Sequence, residues 1–172
     1  MEEVRSVPKL EYEILSSEHD TSKFTCVEQD LNEFLQSDAL SYQAMRVSTT
    51  YVFMEPECQD IVAYVTLCCD NVMLTENEKE DEDIDPETTF PVPAIKIARL
   101  AVHKDKEGRG IGTYLLEFAV GLATDVSEKI GCRFVTVDAL PNRVEWYEMR
   151  QFRKNNHYYK RKNNVSMRLD LL

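Results

Sequence analysis

Three glycines, Gly108, Gly110 and Gly112, stand between an apolar run, Ile95 to Val102, and the clearest amphipathic pattern in the chain. In that pattern Ile111, Leu115, Phe118, Leu122, Val126 and Ile130 recur at steps of three and four, which predicts a helix. Gly131 is expected to close it as a left-handed cap. Strand, glycine turn and helix in succession restrict the fold to one carrying an open helix N-terminus. Glycines let backbone approach a ligand closely, and the first helical turn leaves N–H groups unpaired. With the helix dipole behind them, those amides suit a phosphate or pyrophosphate.

Two familiar phosphate motifs do not match. A P-loop requires Lys-Ser/Thr directly after its last glycine, and Ile111 and Thr113 flank Gly112 here. A dinucleotide fingerprint is Gly-x-Gly-x-x-Gly within a parallel βαβ unit, whereas these glycines alternate and follow a predicted antiparallel hairpin.

The flanking segments supply the rest of the architecture. Glu11–Leu15 reads as a first strand, and Val27–Met45 as one or two helices on the spacing of Leu31, Phe34, Leu35, Ala39, Tyr42 and Met45. Thr49–Met54 and Ile61–Cys69 are β-branched or apolar and form the hairpin, with Pro56 in its turn. Residues 76–87 hold eight acids and one base, so a solvated, mobile acidic loop over about 75–90 is expected. Cys132–Ala139 predicts a strand, Val144–Arg150 a short helix and Val165–Asp170 a last strand paired with His157–Arg161. The expected fold class is α/β (α+β): one domain over residues 1–172, with a single mixed, mostly antiparallel sheet flanked by helices.

Composition excludes several functions. The formal charge is −11, from 20 Lys+Arg against 31 Asp+Glu, which opposes general nucleic-acid binding and attraction to an acidic membrane. The five cysteines are odd in number and lack both C-x-x-C and metal spacing, so neither a disulfide framework nor a metal site is expected. The N-terminus lacks a signal-peptide layout, and the longest apolar run falls short of the ~20 residues a membrane helix needs. A cytoplasmic location is the expectation.

Taken together, the strand ending Leu100-Ala101-Val102, the turn Glu107-Gly108-Arg109-Gly110-Ile111-Gly112-Thr113, the strand Val135–Ala139 and the Trp146-Tyr147-Glu148 helix resemble the GNAT superfamily of acetyl-CoA-dependent N-acetyltransferases. The resemblance runs from about residue 48 to the C-terminus. It implies that acetyl-CoA is held by Leu100, Ala101, Val102, Glu107, Gly108, Arg109, Gly110, Ile111, Gly112, Thr113 and Asn142, with no metal. Glu107 departs from the usual Gln or Arg, so its side chain is expected in solvent, with Lys104, Lys106 or Arg109 supplying positive charge. Gln151 replaces a usual glycine, and a shortened stretch before Tyr147 leaves the register of Asn142 open.

The implied chemistry is direct transfer: an amine attacks the thioester, a tetrahedral oxyanion forms and CoA leaves as a thiolate. By resemblance Tyr147 is the general acid that protonates the thiolate. Glu55, Asp70 and Asp138 are candidates for a base by strand position, with water as the alternative. His103 is expected to be a solvated turn residue, His19 and His157 have no role, and Cys132 is expected in the core.

The acceptor is read from charge. Residues 141–172 carry eight cations (Arg143, Arg150, Arg153, Lys154, Lys160, Arg161, Lys162 and Arg168) against three acids, on an otherwise strongly acidic chain. The strand Ala98–Val102 and the Phe24-Thr25-Cys26 segment also resemble the toxin-type GNAT branch, whose members acetylate aminoacyl-tRNA and are held off by an antitoxin. Net charge disfavours tRNA, so a small-molecule or peptide amine ranks first and aminoacyl-tRNA second. A catalytically silent CoA-binding module is a further alternative. Other partners expected are a second copy of the chain, as a homodimer, and no membrane.

Overall fold

The computed structural model describes residues 9–156 and 163–172. Seven strands form one sheet in the order β1-β2-β3-β4-β5-β7-β6. They are β1 (Glu11–Ile14), β2 (Thr49–Met54), β3 (Ile61–Val72), β4 (Val92–Val102), β5 (Phe134–Ala139), β6 (Arg153–Lys154) and β7 (Val165–Asp170). The helices are α1 (Gln29–Glu33), α2 (Ala39–Ala44), α3 (Glu76–Asp81), α4 (Ile111–Ser127) and α5 (Val144–Glu148). The mixed sheet flanked by helices is the architecture expected from the sequence. The chain divides into two compact units.

The first unit comprises Met1–Cys68 and Ala98–Ala119. Here β2 pairs antiparallel with β1 and with β3, making the hairpin that the β-branched runs predict. One face is covered by α1, α2 and a π-helical segment, Phe34–Asp38, that joins them. The π turn has a packing cause. The Ala39 N–H bonds to the Phe34 carbonyl five residues back, and Phe34, Leu35 and Ala39 all enter one core with Leu15, Phe24, Val52 and Tyr64. A regular 3.6-residue helix would swing Ala39 away from Phe34. Asn32 fixes the start of α1, accepting from the Cys26 N–H and donating to the Cys26 carbonyl.

The second unit comprises Cys69–Ile97 and Val120–Leu172. There β4 runs parallel to β5 over Ala94–Ile97 against Phe134–Val137, and β7 runs antiparallel to β5 and β6. The expected partner of β7, His157–Arg161, lies outside the described residues; among the described residues Arg153–Lys154 pairs with β7 at Arg168 and Met167.

Two expectations are corrected. The acidic segment is not a solvated loop at its start: Glu76–Asp81 is helical, with Thr75 and Glu78 forming a reciprocal capping box. Glu78 and Glu82 are 3% and 7% exposed. Arg168 of β7 makes this burial tenable, donating to Glu78 from Nη1 and to Glu82 from Nε and Nη2. Ile84 anchors the segment on Val72, Leu74, Val92, Ala94 and Phe134. The second correction concerns α4, which ends at Ser127, leaving Ile130 exposed. Among the described residues only Gly108 and Gly110 are glycines with positive φ, so Gly131 is not a left-handed cap.

Candidate active site

In the first unit β4 leads directly into the glycine turn. Alternation puts Ala101 into the core, 4% exposed, and leaves Leu100 and Val102 half-buried. His103 then pivots the chain. Its N–H donates to the Val62 carbonyl at 2.8 Å, and its Nδ1 accepts from the Asp105 N–H at 3.2 Å, opening a 3₁₀ turn over Lys104–Lys106. The ring lies edge-on to Phe24. His103 is therefore a half-buried cap rather than the solvated residue expected.

Gly108 and Gly110 follow at φ 73° and 79°, a left-handed region that a β-carbon disfavours. Residues Glu107 to Gly110 are exposed, whereas Ile111, at 1% exposure, pins the helix start to the core. The Tyr114 N–H bonds to the Gly110 carbonyl at 3.0 Å. The amides of Ile111 and Gly112 precede that bond and stand outside the helical ladder. Thr113 sits half-buried in the same first turn. The arrangement suits an anionic, extended ligand such as the pyrophosphate of CoA.

The charges around the turn differ in part from expectation. Lys106 is engaged by Glu55 at 2.7 Å, so Lys104 and Arg109, both exposed, are the cations that remain beside the glycines. Arg109 reaches the Asp105 carbonyl at 3.5 Å. Glu107 is exposed, as expected of it.

Tyr147 belongs to the second unit, on α5. The 3₁₀ turn Pro141–Arg143 follows β5, places Asn142 on the surface and feeds into α5. The Tyr147 ring packs edge-on against Trp146 and Phe152, leaving 7% of the residue exposed. Arg150 stacks over Trp146 with its guanidinium 3.9 Å from the ring centroid. Burial pushes the Tyr147 phenol up to about 12, against an opposing pull from Arg143 and Arg150. It is neutral and proton-bearing at physiological pH. Tyr64 offers a contrast: its hydroxyl donates to the Leu31 carbonyl at 2.7 Å and is committed to the core.

Each carboxylate considered as a base has a partner. Glu55 holds Lys106; Asp70 accepts from Thr136 at 2.6 Å; Asp138 lies 2.6 Å from Lys96. Cys132 is half-buried, and desolvation pushes its thiol up, which makes it a poor nucleophile. Among the described residues no His/Cys/Asp/Glu group is placed to hold a metal, and no helix is long and apolar enough to cross a membrane.

A sheet of this order, a glycine turn opening its central helix and a buried tyrosine on the helix after β5 define an acyltransferase of the GNAT type. The family model "Acetyltransferase (GNAT) family" matches residues 12–152, and the chain belongs to that family. It is an acetyl-CoA-dependent acetyltransferase. A "tRNA-acetylating toxin" of Mycobacterium tuberculosis (strain ATCC 25618 / H37Rv) is 30% identical over 128 residues, 73% of each chain. Among solved structures, AtaT complexed with acetyl-methionyl-tRNAfMet superposes with a TM-score of 0.78 at 20% identity, covering 94% of this chain and 95% of that one. A tyrosine-to-phenylalanine mutant of KacT gives 0.78 at 18% identity, covering 94% and 95%. These two likenesses establish the fold.

Proposed function

We propose that the chain transfers the acetyl group of acetyl-CoA to the α-amine of an aminoacyl-tRNA. The observation that carries this reading is the 30% identity over 128 residues with a tRNA-acetylating toxin. Electrostatics alone ranked a small amine first, but part of that argument weakens in the fold. Two of the eight acids of the run, Glu78 and Glu82, are bound internally by Arg168. By the same token Arg168 is not available to RNA, and Lys154 sits 3.1 Å from Glu148. Arg153 lies 3.6 Å from Glu82, Arg143 is exposed, and Lys160, Arg161 and Lys162 lie outside the described residues.

The roles proposed for individual residues follow their chemistry. The amides of Ile111 and Gly112, with Gly108 and Gly110 shaping the approach, bind the pyrophosphate of acetyl-CoA, and Asn142 contacts the same ligand. Backbone groups of Leu100, Ala101 and Val102 hold the pantetheine and polarise the thioester carbonyl. The acceptor nitrogen attacks that carbonyl carbon, the C–S bond breaks, and Tyr147 gives its phenolic proton to sulfur. The attacking nitrogen loses one proton to water, and the tyrosinate regains a proton from water to restore the phenol. A phenol raised by burial still serves, because a thiolate formed in a water-poor site is raised by the same desolvation. AtaT has been solved with the C-terminus of its antitoxin AtaR. A protein antitoxin of that kind is the partner proposed here, with cytoplasmic residence alongside its RNA substrate.

The test is acetyl transfer from radiolabelled acetyl-CoA to bulk aminoacyl-tRNA, set beside uncharged tRNA, free amino acids and a panel of primary amines. Label is expected only with charged tRNA, released by mild base as an N-acetyl amino acid. Turnover confined to free amines would return the substrate to the small-molecule class.

A further inference from the structure

Among the described residues, Arg99 is a half-buried strand cation of the first unit whose charge no carboxylate balances. It is half-buried on β4, one residue before Leu100. Its guanidinium lies 4.8 Å over the Phe34 ring, and its Nη1 donates only to the neighbouring Ala98 carbonyl, at 2.7 Å. Among the described residues it has no carboxylate partner, in a chain that carries 31 of them. Two other cations of this unit have carboxylate partners, Lys23 with Asp60 and Lys106 with Glu55, while Lys104 and Arg109 are exposed to water, as Arg99 is not. A partly desolvated guanidinium without a counter-charge is costly, and a ligand anion removes that cost.

Its surroundings add a second feature. Phe34, the ring under the guanidinium, begins the π-helical segment, a geometry frequent at functional sites. On the same ring Tyr42 packs edge-on at 5.8 Å, and Tyr42 is 38% exposed. A flat cation and an exposed aromatic ring thus share one support. That pairing is the chemistry of a single-stranded RNA end: a fork for a phosphodiester and a surface for an unstacked base.

We infer that Arg99 and Tyr42, both seated on Phe34, form a subsite for the 3′-terminal nucleotides of the acceptor RNA, with Arg99 on a phosphodiester and Tyr42 against a base. The inference rests on the aminoacyl-tRNA reading and adds where the RNA end is held. The same fork would also accept the 3′-phosphate of CoA, and the two sources are separable.

Filter binding of bulk aminoacyl-tRNA at several salt concentrations is the test, with R99Q, R99K, Y42A and Y42F compared with wild type. Calorimetry with CoA and dephospho-CoA runs alongside. R99Q is expected to weaken RNA binding about tenfold or more and to flatten the salt slope by about 0.7 to 0.9, the value of one lost phosphate contact. Its affinity for CoA should stay within about twofold of wild type, since the pyrophosphate turn is untouched. R99K should retain the slope but bind less tightly, because a point charge lacks the fork. Y42A should weaken binding several-fold without changing the slope, and Y42F should restore it.

Unchanged RNA affinity and slope in R99Q overturn the inference while leaving the substrate reading intact. A loss by R99Q for CoA but not for dephospho-CoA assigns Arg99 to the CoA phosphate and also overturns it. Should R99Q not fold, R99K decides, and RNA binding equal to wild type contradicts the fork. Failure of wild type to acetylate aminoacyl-tRNA defeats the substrate reading itself.

Discussion

Nη1 of Arg168 stands 2.8 Å from Oε1 of Glu78, and both side chains are at least 96% shielded from water. Glu82 at 2.8 Å, Asn155 at 2.9 Å and the Lys154 carbonyl at 3.4 Å also accept from the guanidinium, and the Asn156 N–H donates to the same Glu78 oxygen. One arginine late in the chain thereby turns the most acidic stretch of the sequence into packed structure.

Removing that arginine should be severe. Arg168→Met strands two buried carboxylates, and breaking a buried pair from one side costs about 3–5 kcal/mol. Urea unfolding should show a loss of this order, while Glu76→Gln, at an exposed position, should change little. A loss below about 1 kcal/mol for Arg168→Met would show the carboxylates find other partners or water.

Acid should expose the same network. Burial pushes the Glu78 carboxyl up, but donors from Thr75, Asn156 and Arg168 outweigh it and hold it below the usual value of 4.5. Asp170 is likewise held low, burial being overcome by Arg133 and the Leu172 N–H. A folded value below the unfolded one contributes stability above the unfolded pKa and loses it as pH falls through the folded pKa. Melting temperature should therefore be flat near neutrality and fall below about pH 4.5, with Glu78→Gln shrinking the drop. A melting curve with the same acid limb in both proteins would contradict this.

The fold was largely legible because its signals are local. The β-branched and aromatic composition of Thr49–Met54 and the periodicity from Ile111 onward each depend on neighbours within a turn or a strand. The helix at Glu76–Asp81 was missed although Thr75-x-x-Glu78 is a capping-box signature, because its stability depends on Arg168, 90 residues away. The end of α4 was overextended for the opposite reason: Ile130 keeps the helical period but finds no core to enter. At the site, the glycine turn and Tyr147 could be named from spacing and resemblance. The capping role of His103 depends on Val62 and Phe24, which only the folded chain brings to it.

The two left-handed glycines separate strain from ligand contact. A β-carbon at Gly108 would meet no atom within 4 Å, so Gly108→Ala probes backbone strain alone and should cost about 1 kcal/mol of stability. Gly110→Val, at φ 79°, should add loss of the thermal stabilisation given by CoA. Full stabilisation of Gly110→Val by CoA would move the pyrophosphate elsewhere.

Tyr147→Phe should preserve acetyl-CoA affinity and lower kcat by about a hundredfold or more, the usual worth of a general acid. The wild-type rate should show no alkaline loss from Tyr147 until the phenol ionises near 12. A fall in kcat of less than about threefold would return Tyr147 to a packing role.

The acceptor proposed for this enzyme is the α-amine of an aminoacyl-tRNA. Its most direct measurement is the mass of the 3′-terminal aminoacyl-adenosine, released by nuclease after incubating charged tRNA with acetyl-CoA and the enzyme. The expected product is a species heavier by one acetyl group, formed by wild type and nearly absent with Tyr147→Phe. An unmodified aminoacyl-adenosine, under conditions where wild type still consumes acetyl-CoA with a free amine, would contradict it.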